Sequence, residues 1–284
     1  MKKVWYSILA LCSLTLTACS TITPMPSYRY IEEKPQPDFE TPTLDIPVAT
    51  WTKETLDYDH KLRIYIDGDA QTTGLFSKTP SVPYSMKDIA AEDPYPFSAV
   101  LGRPCYYIED TKCVPNVWED GRFLPEILAQ MTIVLERWQK RYHPSEIELI
   151  GYDGGAAIAL LLATRIKHTP VTVITFGGIL DTDRQAALEG KDLPPNSLNP
   201  AKETFKLANI PQIHYVGGQD TIATKRLAED FIKQISSPKS IQLRLIPYAT
   251  HTNWHKFMGK LLNQPAPQVK QAPTPQPEEQ PAQL

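Results

Sequence analysis

Between residues 62 and 262 the apolar positions of this chain alternate between short dense runs and longer stretches at helical spacing. Leu62–Ile66 (LRIYI) and Phe97–Leu101 are rich in β-branched and aromatic residues and read as strands. Leu124–Arg141 has the apolar spacing of a helix, with Pro125 tolerated in its first turn. A strand at Glu146–Ile150, an apolar helix over Gly154–Lys167 and a strand at Val171–Phe176 follow. Next come a strand at Gln212–Val216, a helix at Thr221–Ile235, a strand at Ile241–Ile246 and a closing helix from Thr252 to about Leu262. Such alternation predicts an α/β domain whose mainly parallel sheet is covered by helices on both faces. Function in such sheets lies in the loops at the carboxyl ends of the strands.

The two ends lack this pattern. Lys2 and Lys3 precede an apolar run, Val4–Leu16, which is too short for a permanent span and fits a signal peptide over residues 1–18. The run ends in Leu16-Thr17-Ala18-Cys19, which resembles the lipobox of bacterial lipoproteins. That resemblance implies a lipid on Cys19, attachment to the bilayer and, with Ser20 next, sorting to the outer membrane of the cell envelope. The alternatives are ordinary signal cleavage, or an uncleaved anchor with Cys19 incidental. Over residues 19–50, prolines 24, 26, 35, 37, 42 and 47 stand among polar residues and predict an extended tether. Residues 264–284, mostly Pro, Gln, Ala and Glu, predict a disordered tail, with a polyproline ligand as the alternative. This leaves one domain over residues 51–263.

Composition narrows the partners. A chain of 284 residues, 42% hydrophobic, can bury one sizeable core, and its net charge of −3 with no basic run argues against a nucleic-acid partner. His251 and His255 have the i, i+4 spacing of helical zinc ligands, but the intervening residues lack the Glu of a metalloprotease helix. No metal or organic cofactor is therefore expected.

The chemistry concentrates at Ile147–Arg165, which reads as a buried strand, a tight turn and an apolar helix. Gly151-Tyr152-Asp153-Gly154-Gly155 has the frame of the nucleophile elbow G-x-S-x-G, with aspartate where the serine would stand. Asp220 follows the Gln212 strand and His251 follows the Ile241 strand. Nucleophile, acid and histidine then occur in the chain order of α/β-hydrolases. Backbone amides of Gly154 and of Asp69, after Gly68, are the expected oxyanion donors.

With these residues the chain resembles a bacterial α/β-hydrolase family of secreted or lipid-anchored proteins, from Leu62 to the closing helix. The likeness rests on YIDGD (residues 65–69), RPC (103–105) with Cys113 and Trp118, GRF (121–123), GYDGG, SLNPA (197–201) and PQIHYVGGQD (211–220). It implies an α/β-hydrolase fold without a large cap and a serine at the position of Asp153, from which this chain departs. Cys105 and Cys113 remain once Cys12 leaves with the signal and Cys19 is lipidated; an oxidising compartment favours their disulfide over two reduced thiols. Tyr65, Tyr106, Tyr107 and Tyr152 read as filling of the sheet margin, and Trp118 and Phe123 as packing for the Cys105 loop.

Three readings of Asp153 stay open at this point. It could attack carbon covalently, as in haloalkane dehalogenases and epoxide hydrolases, with His251 and Asp220 activating water for the second step. Against this, only thirty residues separate Leu180 from Pro211, where such enzymes insert a helical cap, and no Trp adjoins the aspartate. It could pair with a charged His251 in an inactive pseudo-hydrolase that serves as an envelope binding or scaffold module. It could also act as general base on water. The expected small molecule is ester-like or electrophilic; the alternative partner is an envelope protein.

Overall fold

Residues 28–33, 46–53, 55, 60–71, 80–236 and 240–264 are described by the computed structural model. In chain order they give β1 Tyr28–Glu33, β2 Val48–Lys53, β3 Lys61–Ile66, α1 Met86–Glu92, β4 Ser98–Leu101, α2 Pro115–Trp118, α3 Pro125–Tyr142, β5 Glu146–Tyr152 and α4 Gly154–Ala163. Then follow β6 Val171–Phe176, α5 Thr182–Glu189, α6 Thr204–Leu207, β7 Gln212–Gly217, α7 Lys225–Gln234, β8 Ile241–Ile246 and α8 His255–Leu262. The strands form one eight-stranded sheet in the order β1-β2-β4-β3-β5-β6-β7-β8. From β4 to β8 every pairing is parallel, while β1–β2 and β2–β4 are antiparallel.

The alternation of apolar residues along the strands sends side chains to two separate cores. Leu62, Ile64, Ile66, Leu149 and Val173 pack with α3, α4 and α7, and Tyr65, Val100, Ile150, Phe176 and Tyr215 pack with α1 and α8. Every residue of α4 is buried, so this helix carries no polar face. Glycine makes its approach to the sheet feasible. A Cβ on Gly151 would stand 2.4 Å from the Gly155 carbonyl oxygen, and one on Gly155 would stand 2.3 Å from that of Asp67. The helix start is thereby drawn tightly against the ends of β3 and β5.

Part of the stretch expected to be a tether is sheet. Tyr28–Glu33 pairs with Val48–Lys53, and β2 continues onto β4. The prolines lie outside both strands, so they bracket the ladders rather than interrupt them, and the added strands stand at one edge of the sheet. The predicted helix at Thr221 begins at Lys225, because the Ile222 and Ala223 amides donate to the Asp220 side chain. The closing helix likewise starts at His255 rather than Thr252, and α4 ends at Ala163.

Cys105 and Cys113 form a disulfide. Closing so short a loop contributes about 2–3 kcal/mol on the loop-entropy account. With Ile46, Tyr106 and Trp118 it builds a third, smaller apolar cluster beside the site. Cys19, the signal segment and the tail beyond residue 264 lie outside the described residues. Among the described residues, no helix is long and apolar enough to cross a membrane.

Candidate active site

Asp153 sits in the sharp turn between β5 and α4, with φ 51° and ψ −125°. A side chain rarely adopts such a backbone, and here it is over-determined by neighbours. The Asp153 amide donates to Phe176 O at 3.3 Å, and its carbonyl accepts from Ala156 N at 3.1 Å and Ile179 N at 3.0 Å. The turn aims the side chain out of the carboxyl end of the sheet. Asp220 and His251 reach the same place from the loops after β7 and β8.

The three side chains meet in a line. His251 Nε2 is 3.2 Å from Asp153 Oδ1, and His251 Nδ1 is 3.1 Å from Asp220 Oδ2. Asp220 Oδ1 accepts the Ile222 and Ala223 amides at 2.9 Å each, which fixes the carboxylate that orients the imidazole. The Tyr152 hydroxyl donates to the His251 carbonyl at 2.8 Å and holds its backbone. The structure thus brings together all three residues singled out from the sequence.

The Asp69 and Gly154 amides, expected from the sequence to be oxyanion donors, both face Asp153. Asp69 N donates to Asp153 Oδ2 at 2.9 Å, and the Gly154 amide also favours the ionised carboxylate. One carboxylate oxygen is therefore held by backbone N–H, and the other faces the histidine.

The charges follow from these contacts. Burial opposes ionisation of Asp153, but His251 and the two amides outweigh it and hold its pKa below the usual carboxylate range. Burial likewise disfavours a charged His251, yet its hydrogen bonds to Asp153 and Asp220 and their negative charge push it up to about 10. At neutral pH the site is an imidazolium between two carboxylates. Against an unfolded value of about 6.5, the His251 contribution to stability is fully present below that pH and lost as pH rises through about 10. The Asp153 contribution is present above about 3.9 and lost as pH falls through its depressed value. Thermal unfolding of the protein should therefore show a fall in Tm between about pH 6.5 and 10 that is absent from His251→Gln. An equal alkaline fall in both proteins would contradict the charged histidine.

A cleft of about 690 Å³ opens over Asp153 and His251, lined among others by Tyr84, Trp118, Arg122 and Tyr152. Trp118 belongs both to the disulfide cluster and to this wall. Among the described residues, no group of three or more His, Cys, Asp or Glu side chains could hold a metal ion. His255 does not join His251 but stacks on Tyr84 at 5.7 Å between ring centres.

Sequence reasoning missed the surroundings of the Asp69 side chain. Arg103 Nη1 donates to its Oδ1 at 2.8 Å and Arg122 Nε to its Oδ2 at 2.8 Å. The two arginines stand in the RPC and GRF segments, and no local feature of either segment points to Asp69, 34 and 53 residues away.

No family model and no curated protein sequence matches the chain. Solved structures do. An esterase from Pyrococcus furiosus superposes with a TM-score of 0.58 at 14% identity, over 84% of this chain and 91% of the esterase. An acylaminoacyl peptidase from Pyrococcus horikoshii gives 0.60 at 10% identity, over 84% of this chain and 41% of the peptidase. An alpha-beta serine hydrolase homologue from Coxiella burnetii gives 0.50 at 14% identity, over 83% and 95%. Likeness at such identities speaks for architecture: the chain has the α/β-hydrolase fold.

Proposed function

We propose that this protein is a hydrolase in which Asp153 attacks an electrophilic sp³ carbon and His251, oriented by Asp220, drives hydrolysis of the resulting ester. The observation that carries this reading is the division of labour within one carboxylate. Oδ2 is bound by the Asp69 amide while Oδ1 faces His251. A serine hydrolase keeps that amide free for the carbonyl oxygen of its substrate. With the amide taken, acyl transfer from an ester loses its main stabilisation, and carboxylate attack on an ester would give only an anhydride. Displacement at saturated carbon develops no oxyanion and needs none of that stabilisation.

The reaction balances in two steps. Asp153 Oδ1 forms a bond to the carbon of R–X, and X⁻ leaves with the bonding pair. Water then adds to the Asp153 carbonyl carbon, giving an oxyanion at Oδ2 that the Asp69 and Gly154 amides stabilise. Collapse releases ROH and restores the carboxylate; the net products are ROH, X⁻ and a proton. Alkylation also removes the negative charge facing His251, so its pKa falls from about 10 and it becomes a base when water must be activated.

Likeness to an esterase and a serine hydrolase homologue supports hydrolase chemistry on this fold. A second reading, an inactive pseudo-hydrolase acting as an envelope binding module, is favoured by the same filled oxyanion position. Incubating the full chain with primary bromoalkanes, styrene oxide and p-nitrophenyl acetate separates them. Bromide or diol release with little nitrophenol supports the aspartate hydrolase, and silence on every probe supports the binding module. We also propose a cell-envelope location through a lipid on Cys19, read from the Leu16–Cys19 segment and Ser20, which is checked by metabolic labelling with palmitate.

A further inference from the structure

The segment Gly68–Ala70 is gripped at each residue by the loop region between β4 and α3. Arg103 Nη1 donates to Gly68 O at 3.2 Å and to Asp69 Oδ1 at 2.8 Å. Ala70 N donates to the Tyr106 hydroxyl at 3.2 Å. Arg122 Nε closes on Asp69 Oδ2 at 2.8 Å, and Arg103 Nη2 holds the Arg122 carbonyl at 3.2 Å. Both arginines are buried, at 2% and 6% exposure. Ionic groups so placed are a weak source of net stability, since desolvation cancels much of the attraction. Their geometry has a more specific consequence. The residue they fix is the one whose amide faces Asp153, and a carboxylate at this position, left alone, would repel both Asp153 and the later oxyanion. Two guanidinium groups against the Asp69 carboxylate offset that repulsion. The Asp69 side chain also occupies the space beside Gly154, where a Cβ would meet Asp69 Oδ1 at 1.9 Å.

We infer that Arg103 and Arg122 are positioning residues that clamp Asp69 so that its amide serves the second, ester-hydrolysing step. This rests on the covalent reading of Asp153, and it makes a distinction that a merely structural role does not. Attack on saturated carbon does not call on the amide as an oxyanion donor, whereas hydrolysis of the ester does.

The test uses the full chain, Arg103→Met, Arg122→Met and the charge-preserving Arg103→Lys, with 1-bromobutane as probe and intact mass as readout. In Arg103→Met alkylation should stay within about threefold of the natural protein, while loss of the ester slows by about tenfold or more, so that the butyl-protein accumulates. In Arg122→Met, whose side chain lines the cleft, the ratio of ester loss to alkylation should fall by about tenfold or more. Arg103→Lys should recover part of the second rate. Equal slowing of both steps overturns the inference. Amide hydrogen exchange in the same proteins gives a reading independent of turnover. Exchange at Asp69 and Ala70 should rise by about tenfold in the Met variants, with that of α4 unchanged. Unaltered exchange at those two amides overturns the clamp. If the natural protein forms no ester, the covalent reading fails, and the exchange result alone decides the clamp. If Arg103→Met does not fold, Arg122→Met carries both arms.

Discussion

Asp153→Asn is expected to fold and to lose turnover by about 10⁴-fold or more, the scale of removing a nucleophile that works as part of a unit. The change keeps the shape of the side chain, so the turn between β5 and α4 and its bonds to Phe176, Ala156 and Ile179 persist. What disappears is the anionic oxygen. Removing one member of a buried ion pair costs about 3–5 kcal/mol when the other charge is stranded. Here His251 keeps Asp220 at 3.1 Å and can release its proton once Asp153 is neutral, so the loss of stability should be smaller. The comparison therefore separates chemistry from folding: activity at the limit of detection beside a near-normal melting transition. Unchanged turnover in a stable Asp153→Asn protein would remove the residue from the reaction.

His251→Phe should fail in a different way. Displacement at carbon needs no base, so the protein should gain one alkyl group from a primary bromoalkane and then stop. Hydrolysis of that ester, without a base to activate water, should fall by about 10²–10⁴-fold. Asp220 loses its partner in this variant but keeps the Ile222 and Ala223 amides on its other oxygen, which limits the damage to the loop after β7. Mass spectrometry of the variant should show a stoichiometric adduct on the peptide that contains Asp153. A variant that is neither alkylated nor active would contradict the order of steps, because it would make the histidine necessary for the first.

The central strands and the elbow were legible in the sequence because their signals are local. Val171–Phe176, inside the sheet, is a β-branched apolar run and Ile241–Ile246, at its edge, alternates apolar with polar residues; both are observed with the expected bounds, and the glycines around Asp153 announce a close approach of helix to sheet. The chain order of Asp153, Asp220 and His251 places all three at one end of a parallel sheet. Other features depend on distant pairings. β1 and β2 were hidden by the prolines around them, and their pairing is recognisable only in the ladder. α1 and α5, of seven and eight residues, are too short to show a convincing period. The bond from Asp69 N to Asp153 Oδ2 spans 84 residues, and the two arginines reach Asp69 from 34 and 53 residues away. Nothing local in YIDGD, RPC or GRF says that they converge. Yet that convergence leaves the Asp153 carboxylate with one oxygen held by an amide and one facing His251.

The most direct measurement is a single turnover of 1-bromobutane in H₂¹⁸O with the protein in excess, followed by mass analysis of both the butanol and the peptide containing Asp153. If Asp153 forms the ester and water attacks its carbonyl carbon, the label enters the Asp153 carboxylate and the butanol carries ordinary oxygen. Label in the butanol, with none in the peptide, would mean that water reaches the substrate carbon directly and would contradict the covalent role of Asp153.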